Sequence, residues 1–213
     1  MNVKQANLIT GGLSNPSKMP GRAYNISAYD CKRGSELAKI AGTVCASCYA
    51  RKGRYSFPNV QNALNKRKQA FGHPEFISAM VYLIKKQSPR YFRWFDSGDL
   101  QDTKMLGTIC AIACLTPDTK HWLPTKERNI VLNYAYKEQG HIPDNLIIRI
   151  SAPYINEHVD TWLWAHYSEV HTKDKENTKE QVYYCPAHLQ GNKCGDCRVC
   201  WSANIPIVSY LKH

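Results

Sequence analysis

Four cysteines near the C-terminus have the spacing of metal ligands. Cys185 stands before a proline, and Cys194, Cys197 and Cys200 follow at intervals of three residues in the run C-G-D-C-R-V-C-W. Three thiolates at this spacing can wrap around a cubane, and a remote cysteine before proline commonly supplies the fourth ligand of a [4Fe-4S] cluster. Zinc sites more often use two separated C-x2-C pairs. We therefore expect a metal-cluster loop over residues 185–201, with a [4Fe-4S] cluster as the first choice and zinc as the alternative metal.

A second group of cysteines lies in the first quarter of the chain. Cys31, Cys45 and Cys48 follow a short strand-like segment, and an aromatic residue, Tyr49, comes directly after the last of them. Three cysteines can hold three irons of a cubane and leave the fourth iron open to a substrate. Alternatively, Cys45 and Cys48 join some of the C-terminal cysteines in one site. Seven cysteines exceed the four ligands of one cluster, so we favour two metal sites over one.

Gly98 and Asp99 lie in a turn, D-S-G-D, directly after the aromatic segment Tyr91–Phe95. That segment is rich in residues that favour strands, and the turn ends it. A carboxylate and exposed backbone groups at the end of a strand can hold the amino group of a ligand. The alternative is structural, with Gly98 making the turn and Asp99 or Asp102 capping the next helix.

Arg149 and Ser151 share one face of the predicted strand Leu146–Ala152, because side chains alternate along a strand. The opposite face of this segment is apolar. We expect Arg149 and Ser151 to line a polar cavity, where the guanidinium could pair with a carboxylate or a phosphate. The alternative is an internal ion pair of Arg149 with Asp96 or Asp99.

Strand-like segments alternate with helical segments along the chain, which favours βαβ units and an α/β fold. We expect one domain over residues 1–213, with an irregular lead-in at 1–22 and a curved, largely parallel sheet of four to six strands forming a full or partial (βα) barrel. Ligands bind at the carboxyl ends of such strands. The predicted strands are 23–28, 91–95, 121–123, 146–152 and 205–210, and residues 181–184 lead into the metal-cluster loop. The predicted helices are 59–71, 74–87, 102–115, 127–139 and 159–166.

The composition of the chain indicates its cellular compartment and the chemical class of its binding partners. The chain has nine cysteines in 213 residues, no apolar run at its N-terminus and no apolar stretch long enough to cross a bilayer. Without such a stretch, we expect no membrane association. An odd number of cysteines with metal-ligand spacing favours a location in the reducing cytoplasm. The formal net charge of +11 favours anionic partners, so nucleic acid is a candidate partner beside a redox partner.

Several of these segments resemble a known family. The stretch N-P-S-K-M-P over residues 15–20, the run C-A-S-C-Y-A-R-K-G-R-Y over 45–55 and the C-terminal cysteine motif together resemble the bacteriophage family called gene product eighty-eight. The resemblance covers both ends and much of the middle of the chain. It implies a viral protein acting in the host cytoplasm, and it brings no established activity with it.

More distantly, the chain resembles radical S-adenosylmethionine (SAM) enzymes, which are partial (βα)6 barrels with a cysteine loop after the first strand. Cys45, Cys48 and Tyr49 match the end of their C-x3-C-x2-C-aromatic pattern, whereas Cys31 stands much farther upstream than the pattern requires. Gly98-Asp99 occupies the place of their Gly-Glu motif, which holds the methionine moiety. This resemblance implies SAM at an open iron.

Three functions remain open at this point. The first is an enzyme in which a reduced cluster binds and cleaves SAM. The second is an electron-transfer or structural iron–sulfur protein without SAM chemistry, which the irregular cysteine spacing favours. The third is a zinc-stabilised nucleic-acid-binding protein, supported by the net charge.

Overall fold

Parallel strands joined by helices and long loops make up most of the chain. The computed structural model describes residues 1–159 and 161–212, and in this part seven strands form one sheet in which every neighbouring pair is parallel. The strands are β1 (Arg22–Tyr24), β2 (Tyr91–Trp94), β3 (Lys120–Thr125), β4 (Leu146–Ile155), β5 (Tyr167–His171), β6 (Val182–Tyr184) and β7 (Ile207–Leu211). Their order is β1-β2-β3-β4-β5-β7-β6, so β1 and β6 are the edges of an open sheet.

Six α-helices occur in the same described residues. They are α1 (Val3–Thr10), α2 (Lys32–Leu37), α3 (Pro58–Ala70), α4 (Phe76–Gln87), α5 (Thr103–Cys114) and α6 (Arg128–Leu132), and a π-helical turn, Asn133–Lys137, continues α6. None of these helices is long and apolar enough to span a bilayer. The α/β class with a parallel sheet is confirmed, and the sheet is not closed into a barrel.

The two faces of the sheet are covered by different parts of the chain. On one face, strand residues such as Phe92, Trp94 and Ile148 pack with α4 and α5 in the main apolar core. Side chains alternate along each strand, so the intervening residues lie on the opposite face. There the covering element is the C-terminal loop between β6 and β7, whose residues pack on β3 and β7 in a second apolar cluster. The cysteine-rich loop therefore replaces helices as the cover of that face.

Two predicted segments differ from the structure. The lead-in 1–22 contains α1, because Asn2 and Gln5 form a reciprocal capping box and Gly11, at φ 77°, ends the helix. The predicted helix 159–166 is absent from its described residues (Asp160 lies outside them), which form an irregular connection to β5. The indole Nε1 of Trp164 donates a hydrogen bond to the carbonyl of Ile148. This bond holds the connection beside β4, where the described residues do not form a helix.

Candidate metal centre

The C-terminal cysteine group begins at the carboxyl end of β6 and crosses the face of the sheet. Cys185 directly follows β6, and its backbone N–H donates to the carbonyl of Ser209 on β7. Cys200 lies on the covered face, where it packs with Trp122, Trp201 and Val208. The cysteine loop therefore begins at the carboxyl end of a strand and extends from there over the face of the sheet.

Aromatic side chains surround the thiols of this group. The Tyr183 hydroxyl lies 3.4 Å from the sulfur of Cys197, and the Tyr210 hydroxyl lies 3.2 Å from the sulfur of Cys200. Trp201, directly after Cys200, is buried, and its ring stacks edge-on against neighbouring aromatics. Such a shell limits the access of water to a metal centre.

Burial favours the protonated form of three thiols of this group, those of Cys185, Cys194 and Cys200. Desolvation raises the pKa of Cys200 to about 12 and also raises the pKa values of Cys185 and Cys194, with neighbouring cysteines adding to the effect. Arg198 and Arg93 act in the opposite direction on Cys194. All nine cysteines are free thiols in the structure. A metal that binds here must therefore displace protons, which couples its affinity to pH.

Arg149 holds the loop that carries Cys200. The residue is fully buried, and its guanidinium donates only to backbone carbonyls, at distances of 2.9–3.3 Å. The acceptors are the carbonyl oxygens of Tyr167, Val199, Cys200, Ser202, Ile205 and Pro206. Neither the predicted ligand-binding role nor the alternative ion pair with Asp96 or Asp99 describes these bonds. Arg149 fastens the second half of the cysteine loop to the sheet.

The N-terminal group is brought together by α2. Gly34 lies in this helix, and a Cβ atom built on it would be 3.6 Å from the sulfur of Cys31 and 3.7 Å from the sulfur of Cys45. Both thiols therefore border the same small space beside Gly34, although thirteen residues separate them in the sequence. Mutual repulsion with Cys48 contributes, after desolvation, to the raised pKa of Cys31. The structure thus places Cys31 and Cys45 at one small space, with Cys48 near enough to act electrostatically on both thiols.

Charged residues stand beside this N-terminal group. The Lys126 ammonium donates to the carbonyl of Ala152 and is close enough to Cys45 to oppose the burial that raises the pKa of that thiol. Arg51 donates to the carbonyl of Ala28 and to the Ser35 hydroxyl. Lys126 directly follows β3, and its position at a strand end is the sequence signal that places it in a polar rim around the site.

Substituting Gly34 tests the space between Cys31 and Cys45 without removing a ligand. The methyl group of Gly34→Ala would sit 2.9 Å from Cys31 Cβ and against both sulfurs. If the group holds a cubane, we expect the variant to lose about four iron atoms per chain. Gly72→Ala is the matched control, because its added methyl would meet only the carbonyl of Gln69 at 3.5 Å. Full iron content in Gly34→Ala, measured after anaerobic reconstitution, would contradict a cluster at this place.

Gly98 and Asp99 are both used by the fold. Gly98 has φ 81°, and a Cβ atom there would lie 2.3 Å from the side chain of Ile26, so no other residue fits without displacement. The buried Asp99 carboxylate accepts hydrogen bonds from the backbone N–H groups of Leu100 and Lys126 and from the Thr125 hydroxyl. Burial nevertheless raises the pKa of Asp99 to about 6. This carboxylate joins the end of β2 to the end of β3.

Ser151 is also engaged within the protein, since its hydroxyl lies 2.9 Å from that of Ser168 on β5. Of the four residues expected to bind a cofactor, Asp99, Arg149 and Ser151 are therefore hydrogen-bonded within the chain, and Gly98 packs closely against Ile26. In the described ranges, 1–159 and 161–212, no group of three or more His, Cys, Asp or Glu side chains is placed so that it could hold a metal ion.

Comparison with protein families identifies one relationship. A family model described as Gene product 88 matches residues 2–203, a range that includes both cysteine groups. No match was found among curated proteins or among solved structures.

Proposed function

The chain belongs to the gene product 88 family, and from its two cysteine groups we propose that it is an iron–sulfur protein. The observation that carries the proposal is the attachment of the C-terminal loop to the sheet. Arg149 binds the carbonyls on both sides of the Cys200 thiol, while Cys185 and Cys200 pack in one apolar cluster. A fixed loop that brings cysteines into an aromatic environment is suited to a [4Fe-4S] cluster.

The chemistry of the donors supports iron over zinc. Cys185, Cys194, Cys197 and Cys200 form an all-thiolate set with the C-x2-C-x2-C spacing of cubane ligands. When bound, the cluster would supply a one-electron redox centre. The chain itself would hold the cluster through these thiolates, orient the loop through Arg149 and exclude water through Trp201 and its neighbours.

A second cluster at Cys31, Cys45 and Cys48 is supported by the space beside Gly34. Three protein ligands would leave one iron open to a small chelating molecule, for which SAM is the candidate that the cysteine-aromatic motif suggests. The strand order β1 to β5 is sequential, with α4 and α5 on one face, and this arrangement supports a radical-SAM-like partial barrel. The internal bonds of Asp99 and Arg149 instead favour an electron-transfer or structural role.

Electron paramagnetic resonance of the anaerobically reduced protein tests both centres. The proposal expects signals of reduced [4Fe-4S] clusters, of which Cys45→Ala removes the N-terminal one and Cys197→Ser the C-terminal one. Incubation of the reduced protein with SAM, followed by chromatography for 5′-deoxyadenosine, tests cleavage, with Cys45→Ala as the control. Absence of any iron–sulfur signal from the wild-type protein would reject the proposed function. Intact signals without 5′-deoxyadenosine would assign the protein to the redox or structural class.

A further inference from the structure

Two buried N–H donors on the loop-covered face of the sheet have no acceptor. They are the indole Nε1 of Trp122, whose residue is only 6% exposed, and the Nε of Arg93. A buried donor that makes no hydrogen bond costs about 1–3 kcal/mol, and more when the group is charged. Such groups are rare in folded proteins, and each therefore points to a missing acceptor.

The two donors belong to residues in contact with each other. The guanidinium of Arg93 stacks over the Trp122 ring, 4.4 Å from its centroid. The Arg93 guanidinium also forms a hydrogen bond with the Tyr49 side chain. Its contacts with the sulfur of Met19, at 3.8 Å, and with the carbonyl of Phe95, at 3.5 Å, are long. Nothing in these contacts satisfies the two donors.

Other buried or half-buried indoles differ from that of Trp122. Trp201 donates to the carbonyl of Phe92 at 2.9 Å, Trp164 donates to the carbonyl of Ile148 at 2.8 Å, and Trp94 donates to a ring nitrogen of His121 at 3.3 Å. The fold therefore supplies acceptors for indoles in both apolar clusters. The unpaired indole is in the cluster that contains the C-terminal thiols.

The thiols are close to both donors. Trp122 packs in the same apolar cluster as Cys185 and Cys200. The charge of Arg93 acts on Cys194 and Cys200, where it opposes the burial that raises the thiol pKa values. Sulfur atoms of a centre bound by these cysteines would supply new acceptors on this face for N–H groups that the chain leaves unpaired.

We propose that Trp122 Nε1–H and Arg93 Nε–H donate hydrogen bonds to sulfur atoms of the C-terminal cluster and raise its reduction potential. This inference rests on the proposed function. Reduction adds one negative charge to the cluster, so N–H donors and a nearby guanidinium stabilise the reduced form more than the oxidised form. The two residues are positioning residues and not metal ligands, so their substitution should change the potential without removing iron.

Trp122→Phe tests the inference because phenylalanine keeps an aromatic ring and lacks the N–H group. We expect the equilibrium constant for one-electron reduction to fall about tenfold, which is a shift of about 59 mV to more negative potential. Electron–nuclear double resonance in deuterated water should also lose one exchangeable proton coupling. Trp164→Phe is the matched control, because it removes the N–H of a half-buried indole that packs in the main core and already has the Ile148 carbonyl as acceptor.

Arg93→Lys provides an independent variant that keeps the positive charge and removes the Nε donor. It should shift the potential in the same direction, even if Trp122→Phe does not retain its cluster. Iron-loaded variants with the wild-type potential and proton couplings would overturn the inference while leaving the proposed function intact. A wild-type protein without an iron–sulfur signal would instead overturn both, and iron analysis before the titration separates these outcomes.

Discussion

Replacing Cys197 with serine is expected to remove the metal of the C-terminal group and to lower the free energy of unfolding by about 4 kcal/mol, a large effect for one substitution and one that loss of a bound metal can produce. The physical reason is that a metal bound by residues of one loop contributes its binding free energy to folding. In the structure Cys197 lies beside the Tyr183 hydroxyl, within the loop that covers one face of the sheet. Loss of this ligand therefore weakens the packing of the cysteine loop on the sheet as well as the metal centre.

Cys114→Ser is the matched control for this experiment. Cys114 is an exposed thiol at the end of α5 and belongs to neither cysteine group. Both variants should be compared with the wild-type protein in iron, sulfide and zinc content and in denaturant unfolding under anaerobic conditions. A Cys197→Ser protein with full metal content and wild-type stability would show that this cysteine is not a ligand.

Arg149→Met is expected to have an effect of similar size without touching any ligand. Methionine preserves much of the side-chain volume but removes the donors that Arg149 supplies to the carbonyls of the cysteine loop. The Val199 carbonyl keeps the Ser202 N–H as a donor, whereas the carbonyls of Cys200, Ser202 and Ile205 lose the Arg149 donors. Since each unsatisfied buried group costs about 1–3 kcal/mol, we expect the free energy of unfolding to fall by about 4 kcal/mol or more. Iron content should fall too, because the released segment includes Cys200.

Two further variants make the Arg149 experiment specific. Arg149→Lys keeps the charge but lacks the planar fork of donors, so it should recover only part of the stability. Arg90→Met removes an exposed arginine just before β2 and should change neither stability nor iron content. If Arg149→Met unfolds like the Arg90 variant and retains its iron, the loop does not depend on the guanidinium.

The sequence predicted the strands whose pattern is apolar or aromatic. It missed the short edge strand β6, and it missed β5, in which buried residues are polar. Along β5, Glu169 is buried and paired with Lys179 at 3.2 Å, and His171 lies 2.7 Å from the Ser209 hydroxyl. These partners come from a later loop and from β7, so no local pattern marks the segment as an interior strand. The helix α1 was missed because Gly, Ser, Asn and Pro follow it closely and the whole region was assigned to irregular structure.

For the candidate site, the spacing of the cysteines in the sequence identified them as candidate metal ligands. The residues that surround them in the fold could not be inferred from the sequence. Residue types and alternation placed Arg149 on one face of β4, but only the fold shows that backbone carbonyls take all of its bonds. Asp99 is likewise satisfied by two backbone N–H groups and a hydroxyl. Alternation in Y-F-R-W-F could have marked Arg93 as facing away from the helical core. Its unpaired Nε, however, is visible only once Trp122 and the cysteine loop are in place.

The most direct test of an iron–sulfur protein is the metal and sulfide content of the chain purified without oxygen, together with its visible spectrum. The proposal predicts a brown protein with a broad absorption band near roughly 400 nm and about four iron and four sulfide per occupied cysteine group. Zinc should be absent. A colourless protein that holds stoichiometric zinc, or no metal, after anaerobic purification and reconstitution with iron and sulfide would contradict the account.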